Sequence, residues 1–286
     1  MFERASRSWG LVKASTSVLI ADKELIVFPL MSSLAALIIL AAAYYIFPQF
    51  FADGSRQDPG PDFYAELFLF YLVLNTVVIY FNSALVGAAL IRIRGGNPTV
   101  GDGFRIANSH LKAILGYAAI SATVGIVLRW LSDRGSLGNL ASSLVGLAWN
   151  LATFLAVPIL VAEDIGPMDA IRKSSMLLKK TWGEQIVGNL SIGAVFGLII
   201  LFVFLLGAVI TIAAFSAGWG VLAITLAGFF VLVLICLGII SNALGGIFSA
   251  AVYNYAATGS AGKLFEEDLI RDAFEEKPGE MKPGTI

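Results

Sequence analysis

Charge is what this 286-residue sequence has least of: 14% of its residues are Asp, Glu, Lys or Arg, where a soluble domain carries about a quarter. With a hydrophobic fraction of 58% and a mean hydropathy of +0.83, the chain has more apolar length than one water-soluble core can use. A bilayer is the solvent that fits it. Cysteine and histidine are nearly absent too, with one of each. Cys236 alone excludes an internal disulfide and a thiolate zinc site, and it reads as a small inert hydrophobe. His110, with no second His or Cys beside it, provides no metal-ligand set. No GxSxG, HExxH or paired-carboxylate arrangement occurs. Gly95-Gly96-Asn97-Pro98 follows a helical rather than a strand pattern, so it is a turn and not a phosphate loop. The expectation is a non-enzymatic protein without cofactors.

Ionisable groups are also missing from the middle of the apolar runs. Glu66 falls near one end of its run and Arg129 at the end of another, which argues against a conventional proton relay. The net charge of -1 comes with 19 bases scattered in short segments. They form no continuous stripe, so no nucleic-acid partner is expected. The first apolar run starts after Asp22-Lys23-Glu24 and is too long for the core of a signal peptide.

Six apolar runs are present, at about 25–47, 63–91, 113–131, 140–161, 188–215 and 219–257. Each meets the ~20 residues a membrane-crossing helix requires. Pro158 is expected to kink the last turn of the fourth. The sixth is nearly twice the ~30 Å hydrocarbon thickness at ~1.5 Å per residue, and is expected to continue beyond the membrane as a packed helix. Of the 19 bases, sixteen fall in the segments before run one, between two and three, between four and five, and after six. Only Arg56, Arg129 and Arg134 fall on the other side. By the positive-inside rule, both termini face the cytoplasm.

Three of these basic segments, near 2–22, 99–112 and 167–187, have amphipathic spacing, and each precedes a pair of runs. In the last, Met168, Ile171, Met176, Leu177 and Trp182 recur among Arg172, Lys173, Lys179 and Lys180. That is the pattern of a helix lying on a membrane, with its apolar side in hydrocarbon. Glu163 or Asp164 is expected to pair with Arg172 or with a base of a neighbouring repeat, which would lock this helix to its hairpin. The expected fold is all-α and polytopic: six transmembrane helices in three hairpins with amphipathic cytoplasmic surface helices. These form one domain over 1–262, followed by a cytoplasmic amphipathic segment and disordered tail over 263–286.

Two sets of residues are candidates for function. Arg92, Arg94, Arg105, Lys112, Arg172, Lys173, Lys179 and Lys180 would form a rim facing anionic lipid headgroups. Asn75, Asn82, Asn150 and Asn242 lie within spans two, four and six, with Asn75 and Asn82 seven apart on one helix face. They are either a polar route or ordinary interhelical hydrogen bonding. Small-residue pairs at Gly193/Gly197, Ser83/Gly87 and Asn242/Gly246 mark expected helix contacts. Asp53, Asp58 and Asp62 share one loop and read as a solvated turn.

The phrases RSWGLVKAS, ADKELIVFPL, GNPTVGDGFRIANSHLKAILGYAAI and AWNLATFLAVPILVAEDIGPMDAIRKSSMLLKKTWGEQIVGN resemble a family of bacterial and archaeal multi-pass membrane proteins of unknown function. The likeness weakens after about Asn189. More distantly, the chain is similar to the membrane domain of some glycerophosphodiester phosphodiesterases. The resemblance implies six spans with surface helices in a cell inner membrane and brings no catalytic residues with it. It points to Pro158, Glu163, Gly166, Pro167, Ser174, Trp182 and Gly183. Two roles follow from the residues: engaging anionic lipids, a second copy or a membrane partner through the basic rim, or carrying a small molecule along the asparagine route as a transporter or channel.

Overall fold

The computed structural model describes residues 2–48, 60–182, 191–260, 262 and 265. All regular structure among them is helical. In chain order the helices are α1 (Phe2–Ala21), α2 (Val27–Ile46), α3 (Pro61–Ile93), α4 (Val100–Ser109), α5 (Leu111–Ser132), α6 (Ser136–Thr153), α7 (Ala156–Ala162), α8 (Pro167–Trp182), α9 (Ser191–Ser216) and α10 (Gly220–Thr258). A 3₁₀ turn, Lys23–Ile26, joins α1 to α2. Six segments are long and apolar enough to cross a membrane: 23–46, 61–93, 111–132, 136–162, 195–216 and 220–258. The protein is an all-α, multi-pass membrane protein. Its element order repeats three times as a shorter helix followed by two spans: α1 before α2–α3, α4 before α5–α6/α7, and α8 before α9–α10.

Burial is concentrated at one end of the bundle. On α3 the continuous buried run is Ser83–Leu90, and on α10 almost every residue from Ala243 to Asn254 is buried. The earlier part of α10 and most of α2 and α9 expose Leu, Ile, Val and Phe, as lipid-facing surfaces do. Helix α10 continues unbroken through Gly245-Gly246 for 39 residues, and its second half forms the centre of the packed end. Of the segment after 262 only Phe265 is described, and it is buried in that core. The rest of 263–286 lies outside the described residues, as do Asp53, Asp58, Gly183 and Glu184.

The three amphipathic helices are built into the packed end. Leu11, Ser15 and Val18 of α1, Ala107 of α4, and Ala170, Ser174 and Leu178 of α8 are all buried. The face of α8 expected to meet hydrocarbon is therefore divided. Ile171 packs on protein, whereas Met168 and Met176 are exposed among the bases. Small residues decide this, because Ala and Ser on the inward stripe let α8 approach its neighbours closely. Pro167 at its start sits on Gly116 of α5, where an added Cβ would come within 2.9 Å of the proline ring.

Helix α4 is fixed at both its start and its face. The Thr99 side chain accepts from the Asp102 N–H, and the Asp102 carboxylate accepts from the Thr99 N–H, a reciprocal cap. Glu24 adds an acceptor for the Val100 N–H at 3.1 Å. The Thr99 backbone N–H, then its hydroxyl, hold the Asp102 carboxyl below its usual value of 3.8, with Arg105 adding a smaller push. A depressed carboxyl pKa stabilises the cap at pH values above 3.8, and the stabilisation is lost as pH falls through the lower folded value. Acidification and Thr99→Ala at neutral pH should therefore both lower the amide protection factors in the first turn of α4, each taken relative to the intrinsic exchange rate at its own pH, and leave those of α5 unaffected. Equal protection of that turn in Thr99→Ala and the native protein would show that the cap is inert.

The fourth span is broken, but upstream of the expected kink. Helix α6 ends at Thr153 and α7 begins at Ala156, while Pro158 lies inside α7. The proline lacks an N–H, and its ring collides with the carbonyl four residues back. The disruption thus falls on Phe154-Leu155, where Phe154 N–H turns to the Leu151 carbonyl instead. The freed Leu155 N–H is fully buried, and it donates to Ser174 Oγ of α8 at 3.0 Å.

Candidate functional site: an intramembrane cavity and a basic rim

Asn75 and Asn82 share a face of α3 because they are seven residues apart, close to two helical turns. That face looks onto α5 and the broken fourth span. Together with Ser249 of α10 they line a cavity of about 330 Å³ that is open on one side. Its polar groups are Asn75, Asn82, Tyr117, Ser121, Asn150 and Thr153, and no charged side chain lines it. Apolar and aromatic walls come from Ile79, Trp149, Phe154 and Val157. At ~1.5 Å per residue, Asn75 lies roughly 21 Å from the Pro61 end of α3 and Asn82 roughly 17 Å from the Ile93 end. The cavity therefore sits well inside the span.

Three of the four expected asparagines converge here and the fourth does not. Asn242 is exposed on α10, at the point where that helix leaves the packed core. Asn75 donates to the Tyr71 carbonyl at 2.8 Å, so its amide nitrogen is largely satisfied within α3. Tyr117, Ser121 and Thr153 line the same wall, and Thr153 donates to the Trp149 carbonyl. Asn82 and Asn150 make no hydrogen bond to a described protein group. Next to Asn82, the Ser83 hydroxyl is buried without a partner, and so is Thr76. Low-dielectric surroundings make such unsatisfied polar groups costly. Ser83 and Thr76 do not line the cavity; the amides that do, half-buried Asn82 and exposed Asn150, are polar groups converging on a pocket of ligand-binding size. Tyr117, Ser121 and Trp149 were not singled out by the sequence as lining residues. Ordinary hydroxyls and aromatics in apolar runs carry no signal until the helices are rotated into place.

Close packing shapes this site. An alanine methyl at Gly246 would come within 2.5 Å of Leu85 and 3.2 Å of Asn82 Oδ1, so α10 presses directly on the asparagine face of α3. Gly87 approaches Ile106 of α4 equally tightly, whereas Gly197 faces open space.

The expected basic rim is mostly engaged within the chain. Arg92 pairs with Asp22, Nε to Oδ2 at 3.0 Å, and donates to the carbonyls of Ala21 and Gly96 and to Asn97. The Asp22 contact is close without hydrogen-bond alignment. Burial raises the Asp22 carboxyl above its usual value, Arg92 opposes this, and Glu24 adds to it. Arg94 donates to Asn254 Oδ1 at 3.2 Å, Arg105 pairs with Asp102, and Arg172 with Asp169 at 3.7 Å. The lock on α8 is made by Lys173, not Arg172: its ammonium contacts Glu163 Oε2, and Tyr253 of α10 donates to Glu163 Oε1 at 2.9 Å. Lys112, Lys179 and Lys180 are exposed and make no ion pair among the described residues. His110 caps the end of α4, its Nδ1 2.9 Å from the Ile106 carbonyl. Among the described residues no cluster of three or more His, Cys, Asp or Glu is placed to hold a metal ion.

A protein family described as one of unknown function, DUF6159, matches residues 62–264. The match omits the two N-terminal phrases and runs on well past Asn189. No curated protein and no solved structure matches the chain. The distant likeness to the membrane domain of glycerophosphodiester phosphodiesterases is carried by none of these comparisons.

Proposed function

The chain belongs to DUF6159, a family of unknown function, and from the cavity we propose that it binds a small uncharged polar molecule inside the membrane and passes it across. The observation that carries this is the convergence of Asn82 and Asn150, neither hydrogen-bonded to a described residue, on one cavity with Asn75 and no charged wall among its lining residues. An ion there would meet no countercharge to offset its desolvation. A neutral solute bearing hydroxyls or amides would find donors and acceptors along with the ring of Trp149. The twelve described bases on or beside α1, α4 and α8, against Arg129 and Arg134 at the opposite end, support placing the end that bears these helices in the cytoplasm of a bacterial or archaeal cell.

Proteoliposomes provide the test. With urea, glycerol or small polyols as probes, uptake should exceed that of empty vesicles and fall at least tenfold in Asn82→Leu and in Asn150→Leu. Asn242→Leu, outside the cavity, should retain native uptake. Flux equal to empty vesicles for every neutral probe, or flux indifferent to both cavity substitutions, would rule the reading out.

A further inference from the structure

Helix α8 has two opposite faces with different destinations. Ala170, Ile171, Ser174 and Leu178 turn inward and are buried. Met168, Arg172, Met176 and Lys179 follow one another at spacings of four, four and three, so they share the outward stripe, with Lys180 at its edge. Met168 and Met176 are 49% and 64% exposed, and the two lysines are free of ion pairs among the described residues. Exposed methionine set between bases, on a helix between two membrane spans, is complementary to a phospholipid surface: thioethers for the acyl boundary, ammonium groups for phosphate.

The inward face reaches the cavity. Helix α8 packs against α5, α6, α7 and α10, which together supply every cavity-lining element except α3. Ser174 holds the Leu155 N–H at the break. The fourth span lines the cavity on both sides of that break, with Trp149, Asn150 and Thr153 before it and Val157 after it. Glu163, at the end of α7, joins Lys173 to Tyr253 one turn from Ser249.

We propose that the outward face of α8 docks anionic phospholipid headgroups, and that Ser174 transmits this docking to the broken fourth span, so that the lipid sets the shape of the cavity. The docking step stands on the α8 surface alone. What it regulates rests on the solute-binding reading. Without Ser174 in place, the Leu155 N–H has no partner, because Pro158 prevents the span from straightening.

The full chain in nanodiscs tests both steps without any solute. In phosphatidylcholine discs doped with phosphatidylglycerol, native mass spectrometry should show retained phosphatidylglycerol, and the Leu155 amide should exchange more slowly than in pure phosphatidylcholine. The double variant Lys179→Gln, Lys180→Gln should lose the retained lipid, by roughly fivefold per base, together with the slowing. Ser174→Ala should keep the lipid while exchange at Leu155 ceases to respond to it. Phosphatidylglycerol retention unchanged in the lysine variant overturns the docking face. Exchange at Leu155 that ignores phosphatidylglycerol in the native protein overturns the coupling. Either result is independent of whether the liposome flux assay succeeds.

Discussion

Gly103→Ala should destabilise this protein by about 3 kcal/mol, at the upper end of ordinary overpacking. A methyl group at that position would come within 2.4 Å of Phe28 Cζ and 2.7 Å of the Ala84 carbonyl oxygen. Neither neighbour can yield. Phe28 is buried and meets Phe104 edge-on at 5.4 Å, and the carbonyl belongs to the backbone of α3 inside its most tightly packed stretch. Phe104 is further held between Tyr80 and Phe81, and the Tyr80 hydroxyl donates to Asn108 at 2.8 Å. Helix α4 would therefore have to lift from α3 as a unit. Detergent-solubilised Gly103→Ala should melt many degrees below the native protein, while Gly238→Ala, where a methyl would meet nothing within 4 Å, should stay within about 0.5 kcal/mol of it. Equal melting of the two variants would mean that α4 is not seated as described.

Glu163→Leu should be the second most damaging change, and the reason is the phenol rather than the ion pair. Tyr253 is 4% exposed. Deprived of its acceptor, its hydroxyl would be left buried and unsatisfied, at a cost of about 2 kcal/mol. Lys173 is 41% exposed on its side chain, so water can take over its ammonium, and the pair contributes at most about 1 kcal/mol. Two double-mutant cycles separate the terms. Coupling between Glu163→Leu and Tyr253→Phe should be large, and coupling between Glu163→Leu and Lys173→Met small. Glu163→Gln, which keeps an oxygen for Tyr253, should recover most of the lost stability. A larger coupling to Lys173 would show that the clamp is electrostatic and would reverse the assignment.

Much of the chain was legible in its residues because hydropathy and charge are local properties. The six spans, the basic segments ahead of each hairpin and the continuation of the last span follow from composition along the chain. Part of the candidate site was legible as well. Asn75 and Asn82 announce a shared polar face by their spacing alone, and Asn150 stands out as an amide in an apolar run. Asn242 has the same signature and lies elsewhere. Its distance from the cavity depends on where α10 leaves the bundle, and nothing in the neighbouring residues marks that point.

The sequence by itself determined that the chain crosses a membrane six times, that its bases fall mostly in alternate connecting segments, and that carboxamides stand where apolar side chains are the rule. Tertiary structure alone decided which side of each helix meets protein. A leucine is as well solvated by acyl chains as by another leucine, so the rotation of a span leaves no trace in its hydropathy. For the same reason the inward face of α8 went to protein, Lys173 rather than Arg172 reached Glu163, and the break caused by Pro158 appeared at Phe154-Leu155, where Ser174 was placed to accept the freed N–H.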